Sequence, residues 1–236
     1  MIIHLFKKMK SKKIIQIFVV ILLSICWKSN YSQIKKAKDI FTSDEVVWYG
    51  LDFSNAKFIG KFNHDLSQIP VSEFELVTKY IPAWNALVIM EPINFDLKNA
   101  FRKKSIYNDL NPVKTRNDRI NGEGIKTLNS HLIAKSEIPK MISEYKGGDK
   151  HEGLGLTFIV ESFDKSNELG SFWVVFFDIK TKLVLFSEHC SGEPFGFGLR
   201  NYWAGSLKHV LKDIQYIKYE IWKKRFLKES NEVTNK

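Results

Sequence analysis

Cysteine is nearly absent. Only Cys26 and Cys190 occur in 236 residues, which excludes a disulfide-stapled scaffold and leaves the fold to be held by its core. Glycine and proline are scarce as well, at 13 and 6, and that excludes fibrous and low-complexity architectures. Sequence patterns for catalysis are missing: there is no Gly-x-Ser-x-Gly elbow, no phosphate-binding loop and no calcium loop. Among His64, His131, His151, His189 and His209 no pair has the spacing that sets two metal ligands on one helix or strand face. They read as solvated surface histidines, and no cofactor is implied. No internal repeat or interdomain linker interrupts the chain.

What is abundant is positive charge, with 36 Lys and Arg against 26 Asp and Glu. Its distribution matters more than its total. Lys7, Lys8, Lys10, Lys12 and Lys13 precede an apolar run at 14–26, IIQIFVVILLSIC, broken mainly by Gln16. This is the pattern of a signal peptide over residues 1–32, and the run is too short for a spanning helix. Cleavage after Ser32 leaves Gln33 as the first mature residue. Lipid attachment at Cys26 would require a small residue before it, where Ile25 stands. Translation from Met9 instead of Met1 gives the same leader. The expected location is therefore periplasmic or secreted, with no transmembrane anchor after cleavage. The leader takes six lysines and no acid, leaving 30 basic against 26 acidic residues and a net charge of +4. That balance offers no basis for nucleic-acid binding.

Residues 33–236 read as a single globular domain with a core over about 44–228. Residues 46–54, VVWYGLDFS, are apolar on both alternating faces and predict a buried strand, with Gly50 where a neighbour approaches closely. Residues 56–62 form either the start of a helix or an extended edge. Ser72 and Glu75 have capping-box spacing and start a helix to about Lys79; a second helix opens at Pro82. Asp96 caps a short helix over 97–103, an edge strand follows at 106–110, and 117–129 is a polar surface loop. Ser136 caps a helix that Gly147-Gly148 stops. Residues 154–163 form a strand, and 172–186 a β-hairpin around the polar loop 178–182. A long amphipathic helix carries Trp203, Leu207, Val210, Leu211, Ile214, Ile217 and Ile221 on its apolar stripe, and the polar tail after about Glu229 is expected to be frayed. Together these predict an α/β (α+β) fold: a mixed sheet of four or five strands with a C-terminal hairpin, helices on both faces and a long C-terminal helix.

The segments GLDFSNAKFIG, FIVESFD, FDIKTKLVLFSE and GFGLRNYWAG resemble a family of uncharacterised exported proteins from Bacteroidetes-type bacteria, over most of residues 44–220. The resemblance implies a fold and a location but no activity. A looser similarity of element order, to periplasmic lipoprotein domains of envelope assembly systems such as the curli secretion lipoprotein, is topological only.

Two places merit attention as sites. Asp52 falls near the end of an otherwise buried strand, where a carboxylate must be hydrogen-bonded, paired or open to a cleft. The corner at 191–205, SGEPFGFGLRNYWAG, combines Gly196 and Gly198 with Arg200, Asn201 and the first turn of a helix, a combination suited to a small anionic ligand. Against these stand two simpler readings, a hydrogen-bonded strand end at Asp52 and a glycine-permitted corner capped by Asn201. Cys190 is a poor nucleophile because His189 points to the opposite strand face. The reading that follows is an exported, non-enzymatic binding or accessory component of the envelope, taking an envelope protein or a small anion. The alternative is an exported hydrolase with a dispersed site using Asp52 and a neighbouring acid, or Cys190.

Overall fold

The computed structural model describes residues 37–64 and 68–234, with side chains as far as 228; the expected leader, its cleavage point and Cys26 lie outside them. Seven strands join in one mixed sheet: β1 (Glu45–Asp52), β2 (Lys57–Ile59), β3 (Ser105–Asn108), β4 (Lys126–Thr127), β5 (Leu154–Asp164), β6 (Leu169–Asp178) and β7 (Val184–Gly192). They fill five ranks. β1 and β2 run one after the other along one edge of β5, with β3 beside β1 and β4 beside β2, all parallel. β6 and β7 follow antiparallel on the other edge. The extended alternative for 56–62 is the one realised, as β2.

Among the described residues six helices cover the sheet: α1 (Asp39–Thr42), α2 (Glu73–Glu75, then a π-helical turn Leu76–Tyr80, then Ile81–Met90), α3 (Leu97–Ala100), α4 (Asn111–Asn117), α5 (Ile138–Ser143) and α6 (Leu199–Asp213, a π turn Ile214–Lys218, then Tyr219–Thr234). As the double-faced apolar pattern of β6 requires, the core has two halves. Phe172, Val174 and Phe176 pack with Trp48 and Phe158 under α2, α3 and α6. Val175 and Phe177 pack with Val47, Tyr49 and Ile159 under α4 and α5. Each such fully buried side chain contributes roughly 1.5–3 kcal/mol, and β6, with neighbours on both edges and cover on both faces, is the centre of that contribution.

The π turns correct two expectations. The two helices separated at Pro82 are one: the Ile81 amide donates to Leu76 O, five residues back, and this widened turn sits where the proline ring would otherwise crowd the preceding turn. The capping box at Ser72 and Glu75 is present as expected. In α6 the second π turn inserts a residue into the helical period, so the buried stripe passes from Ile214 to Tyr219 and Trp222, and Ile217 and Ile221 are left exposed. Other boundaries shift. Ser136 does not cap α5, which follows a 3₁₀ turn (Lys135–Glu137) whose Glu137 carboxylate accepts from the Ala134 amide; α5 ends at Ser143, before the glycine pair. The polar segment 117–129 includes β4, and its first residue closes α4. The backbone of α6 is helical to Thr234, beyond the expected end. Among the described residues no helix is long and apolar enough to cross a membrane.

Candidate functional site

The register of β1 against β5 slips between Trp48 and Leu51. Gly50, at φ 102°, takes up the extra residue, and a Cβ there would lie 2.5 Å from Asn85 Oδ1, the close neighbour expected at this position. The bulge restores Leu51 and Phe53 to the α2 face and turns Asp52 to the α4–α5 face. There Asp52 is fully buried. Its Oδ2 accepts from Arg116 Nε at 3.0 Å and from the Tyr145 hydroxyl at 2.9 Å, and its Oδ1 from the Ser54 amide at 2.9 Å. Arg116 spends its other nitrogens on Ser54 Oγ, at 2.7 Å, and on Glu144. Burial first, and then the neighbouring Asp52, push the Tyr145 phenol well above its ordinary pKa, so it stays a proton donor. Over Arg116 lies a shallow cleft of about 220 Å³ bordered by Arg119 and Lys146, but the guanidinium is engaged from below. The Asp52 network closes a strand end and presents no free group to a substrate.

The glycine corner lies on the other side of the sheet. Gly196 and Gly198 have φ of 122° and 80°, and Gly198 stands at the N-cap without a side chain to serve there. Asn201 does not cap: its Oδ1 accepts from Arg200 Nε at 3.1 Å, with both side chains at the surface. The main-chain oxygen of Arg200 instead accepts from Trp84 Nε1 at 2.8 Å, and the Phe195 backbone packs against Gly205, where a Cβ would meet it at 2.2 Å. These contacts fasten the corner to α2 and α6. Arg200 and Asp52 lie on different sides of the sheet, and their hydrogen-bond partners are distinct.

Cys190 packs in the α6 half of the core, and burial pushes its thiol up to about 12, which keeps it protonated. His189 points the other way, as strand alternation requires, and its Nε2 lies 2.8 Å from Glu161 Oε1. Burial works to raise the Glu161 pKa, but the hydrogen bonds from His189 and from the Ile133 amide outweigh it and hold the carboxyl below its usual range. This pair was not legible in sequence, because Glu161 on β5 and His189 on β7 are 28 residues apart and meet only across β6. Among the described residues no three His, Cys, Asp or Glu side chains gather as metal ligands.

Among the described residues a crevice of about 770 Å³ with a largely apolar wall opens between α2 and α4. Its position follows from topology. β1 and β3 are adjacent and parallel; the chain leaving β1 passes through β2 before reaching α2, which covers the end of β1 on one face, whereas the chain leaving β3 enters α4 directly on the other. Helices diverging from the carboxyl ends of neighbouring parallel strands open a gap there, which is where open α/β sheets bind ligands. Val77, Ile81, Pro82, Ala86 and Ile89 of α2 face Leu110 at the start of α4. Two asparagines set the depth. Asn85 Oδ1 accepts from the Leu51 amide at 2.8 Å and its Nδ2 donates to Leu51 O at 3.0 Å. From the opposite helix Asn117 Oδ1 accepts from the Phe53 amide at 2.8 Å and its Nδ2 donates to Leu51 O at 2.9 Å. Thus the last residues of β1, which have no strand partner on the β3 side, are satisfied by side chains. No protein-family model, no curated protein and no solved structure matches the chain, so the chemistry of this crevice rests on its own residues.

Proposed function

We propose that the protein is an exported, non-enzymatic binding component of the cell envelope, and that it holds a small, largely apolar ligand in the α2–α4 crevice. The observation carrying this reading is the coincidence of an apolar cavity with the carboxyl ends of β1 and β3, where their helices diverge. Its volume suits a small molecule, and Asn85 and Asn117 hold its floor rigid. The leader pattern at residues 1–32 supports export. The anionic ligand proposed for Gly196, Gly198, Arg200 and Asn201 has less support, since Asn201 occupies Arg200 Nε. A hydrolase reading would turn from Asp52 and Cys190 to the Glu161–His189 pair, a carboxylate–imidazole contact set in the sheet itself.

Titration with the neutral fluorophore Nile red tests the binding reading. Saturable binding of one equivalent is expected, weakened at least tenfold in Ala86→Trp, which fills the crevice from the middle of α2. Absence of saturable binding, or equal affinity in a folded Ala86→Trp, overturns it. Hydrolysis of a peptide or glycan library that is lost on His189→Gln would support the hydrolase instead.

A further inference from the structure

We infer, resting on the crevice reading above, that the ligand is a single-chain amphiphile with an uncharged, hydrogen-bonding head, selected by the Lys114–Asp118 pair at the mouth. The polar groups along the crevice are few, and most are spent. Asn85 and Asn117 bond the end of β1 in both directions, and the Thr78 hydroxyl donates to Phe74 O at 2.8 Å. Lys114 and Asp118 are the only charged side chains among the lining residues. They sit one helical turn apart at the end of α4, with Lys114 Nζ 2.5 Å from Asp118 Oδ2, and both are largely exposed. An exposed i,i+4 pair of this kind is held weakly and opens at little cost.

The charges of that pair decide what a head group meets. A carboxylate gains Lys114 but lies against Asp118, while an ammonium gains Asp118 but lies against Lys114. In either case attraction and repulsion act over similar distances and largely cancel, leaving the desolvation of a full charge uncompensated. A hydroxyl or amide head accepts from Lys114 Nζ and donates to Asp118, satisfying both without bringing a net charge to the mouth. The apolar remainder then follows the wall of Ile81, Ala86 and Leu110, which contains no free polar group to reward a second polar centre.

Displacement of Nile red by decan-1-ol, decanoate and decylammonium, all below their micellar concentrations, tests this on the wild type, Lys114→Met and Asp118→Asn. Both substitutions are at exposed positions and leave the core untouched. With only Lys114 remaining, Asp118→Asn should tighten decanoate at least fivefold. With only Asp118 remaining, Lys114→Met should tighten decylammonium by as much; decan-1-ol should move no more than about twofold in Asp118→Asn, which keeps an acceptor for its hydroxyl, and weaken about fivefold in Lys114→Met, which removes its donor. If all three probes displace Nile red but these reciprocal shifts are absent, head-group selection by the pair is wrong and the apolar crevice stands. If none of the probes displaces it, the crevice reading falls with the inference.

Discussion

Replacing Arg116 by methionine is expected to remove about 3–5 kcal/mol of folding stability, the cost of leaving a buried charge without its counter-charge. Asp52 has no exposed surface, and once the guanidinium is gone its carboxylate keeps only two neutral donors, the Tyr145 hydroxyl and the Ser54 amide. Asp52→Asn should cost less, about 1–3 kcal/mol. Arg116 then still reaches Glu144, whose side chain is 51% exposed and brings that end of the guanidinium to water, while the new amide oxygen can accept from Tyr145 or Ser54. The order of the two losses is the informative quantity, because Arg116 has a second, exposed carboxylate partner in Glu144 whereas Asp52 has Arg116 as its one counter-charge among the described residues. The double variant should recover part of the Arg116→Met loss, since it leaves no buried charge. Urea unfolding at pH 7, followed by tryptophan fluorescence, measures all three. A stability of about 5–15 kcal/mol for the whole domain makes these differences easily resolved. An Arg116→Met loss below about 1 kcal/mol, or an Asp52→Asn loss larger than it, would refute the reasoning.

Tyr49→Phe should leave the protein as stable or raise its stability by about 1 kcal/mol: the Tyr49 hydroxyl is buried without a hydrogen-bond partner among the described residues, and burial, helped by Asp109, drives its pKa well up. A fall in the urea midpoint would show that a bound water or another donor serves this oxygen. Lys103, 6% exposed and donating to Ile40 O and Ser43 O at 2.7 and 2.8 Å, has its pKa pulled by burial to about 8, against the opposing effect of Asp44 and Asp39. The folded chain therefore loses this proton before the unfolded chain does; between about pH 8 and 10.5 the unfolded state holds more protons, so stability should rise with pH relative to Lys103→Met. A difference between the two that stays flat over this range would count against it.

The strands were readable in sequence for a physical reason: β5 and β6 lie in the middle of the sheet with cover on both faces, so nearly all their residues are buried and most of their side chains are apolar. The capping box at Ser72 was equally legible, because its two hydrogen bonds are made within four residues. Helical continuity was not. Pro82 signals a helix start in sequence, and only the π turn ahead of it allows the helix to run through. In α6 an unbroken 3.6-residue period extends the buried stripe to Ile217 and Ile221, and a single inserted residue moves it to Tyr219 and Trp222. The period of a helix is a backbone property that side-chain spacing alone reports only while the backbone stays regular.

Asp52 was legible as a buried carboxylate needing partners, but its partners were not, since Arg116 and Tyr145 lie 64 and 93 residues away. α4 itself carried a signal, because Asn111-Pro112 places proline in the first turn of a helix. Even with that helix recognised, the crevice does not follow from composition. Asn85 and Asn117 look like ordinary surface residues until β1 is known to outrun its partner β3, whose last register pair, Trp48 with Asn108, leaves Leu51 and Phe53 unpaired on that side. Side-chain amides supply the missing ladder, and helices holding such amides from opposite faces of the sheet must stand apart above the strand end. The cavity is thus a consequence of strand length and crossover direction, two quantities fixed by pairings across the whole chain.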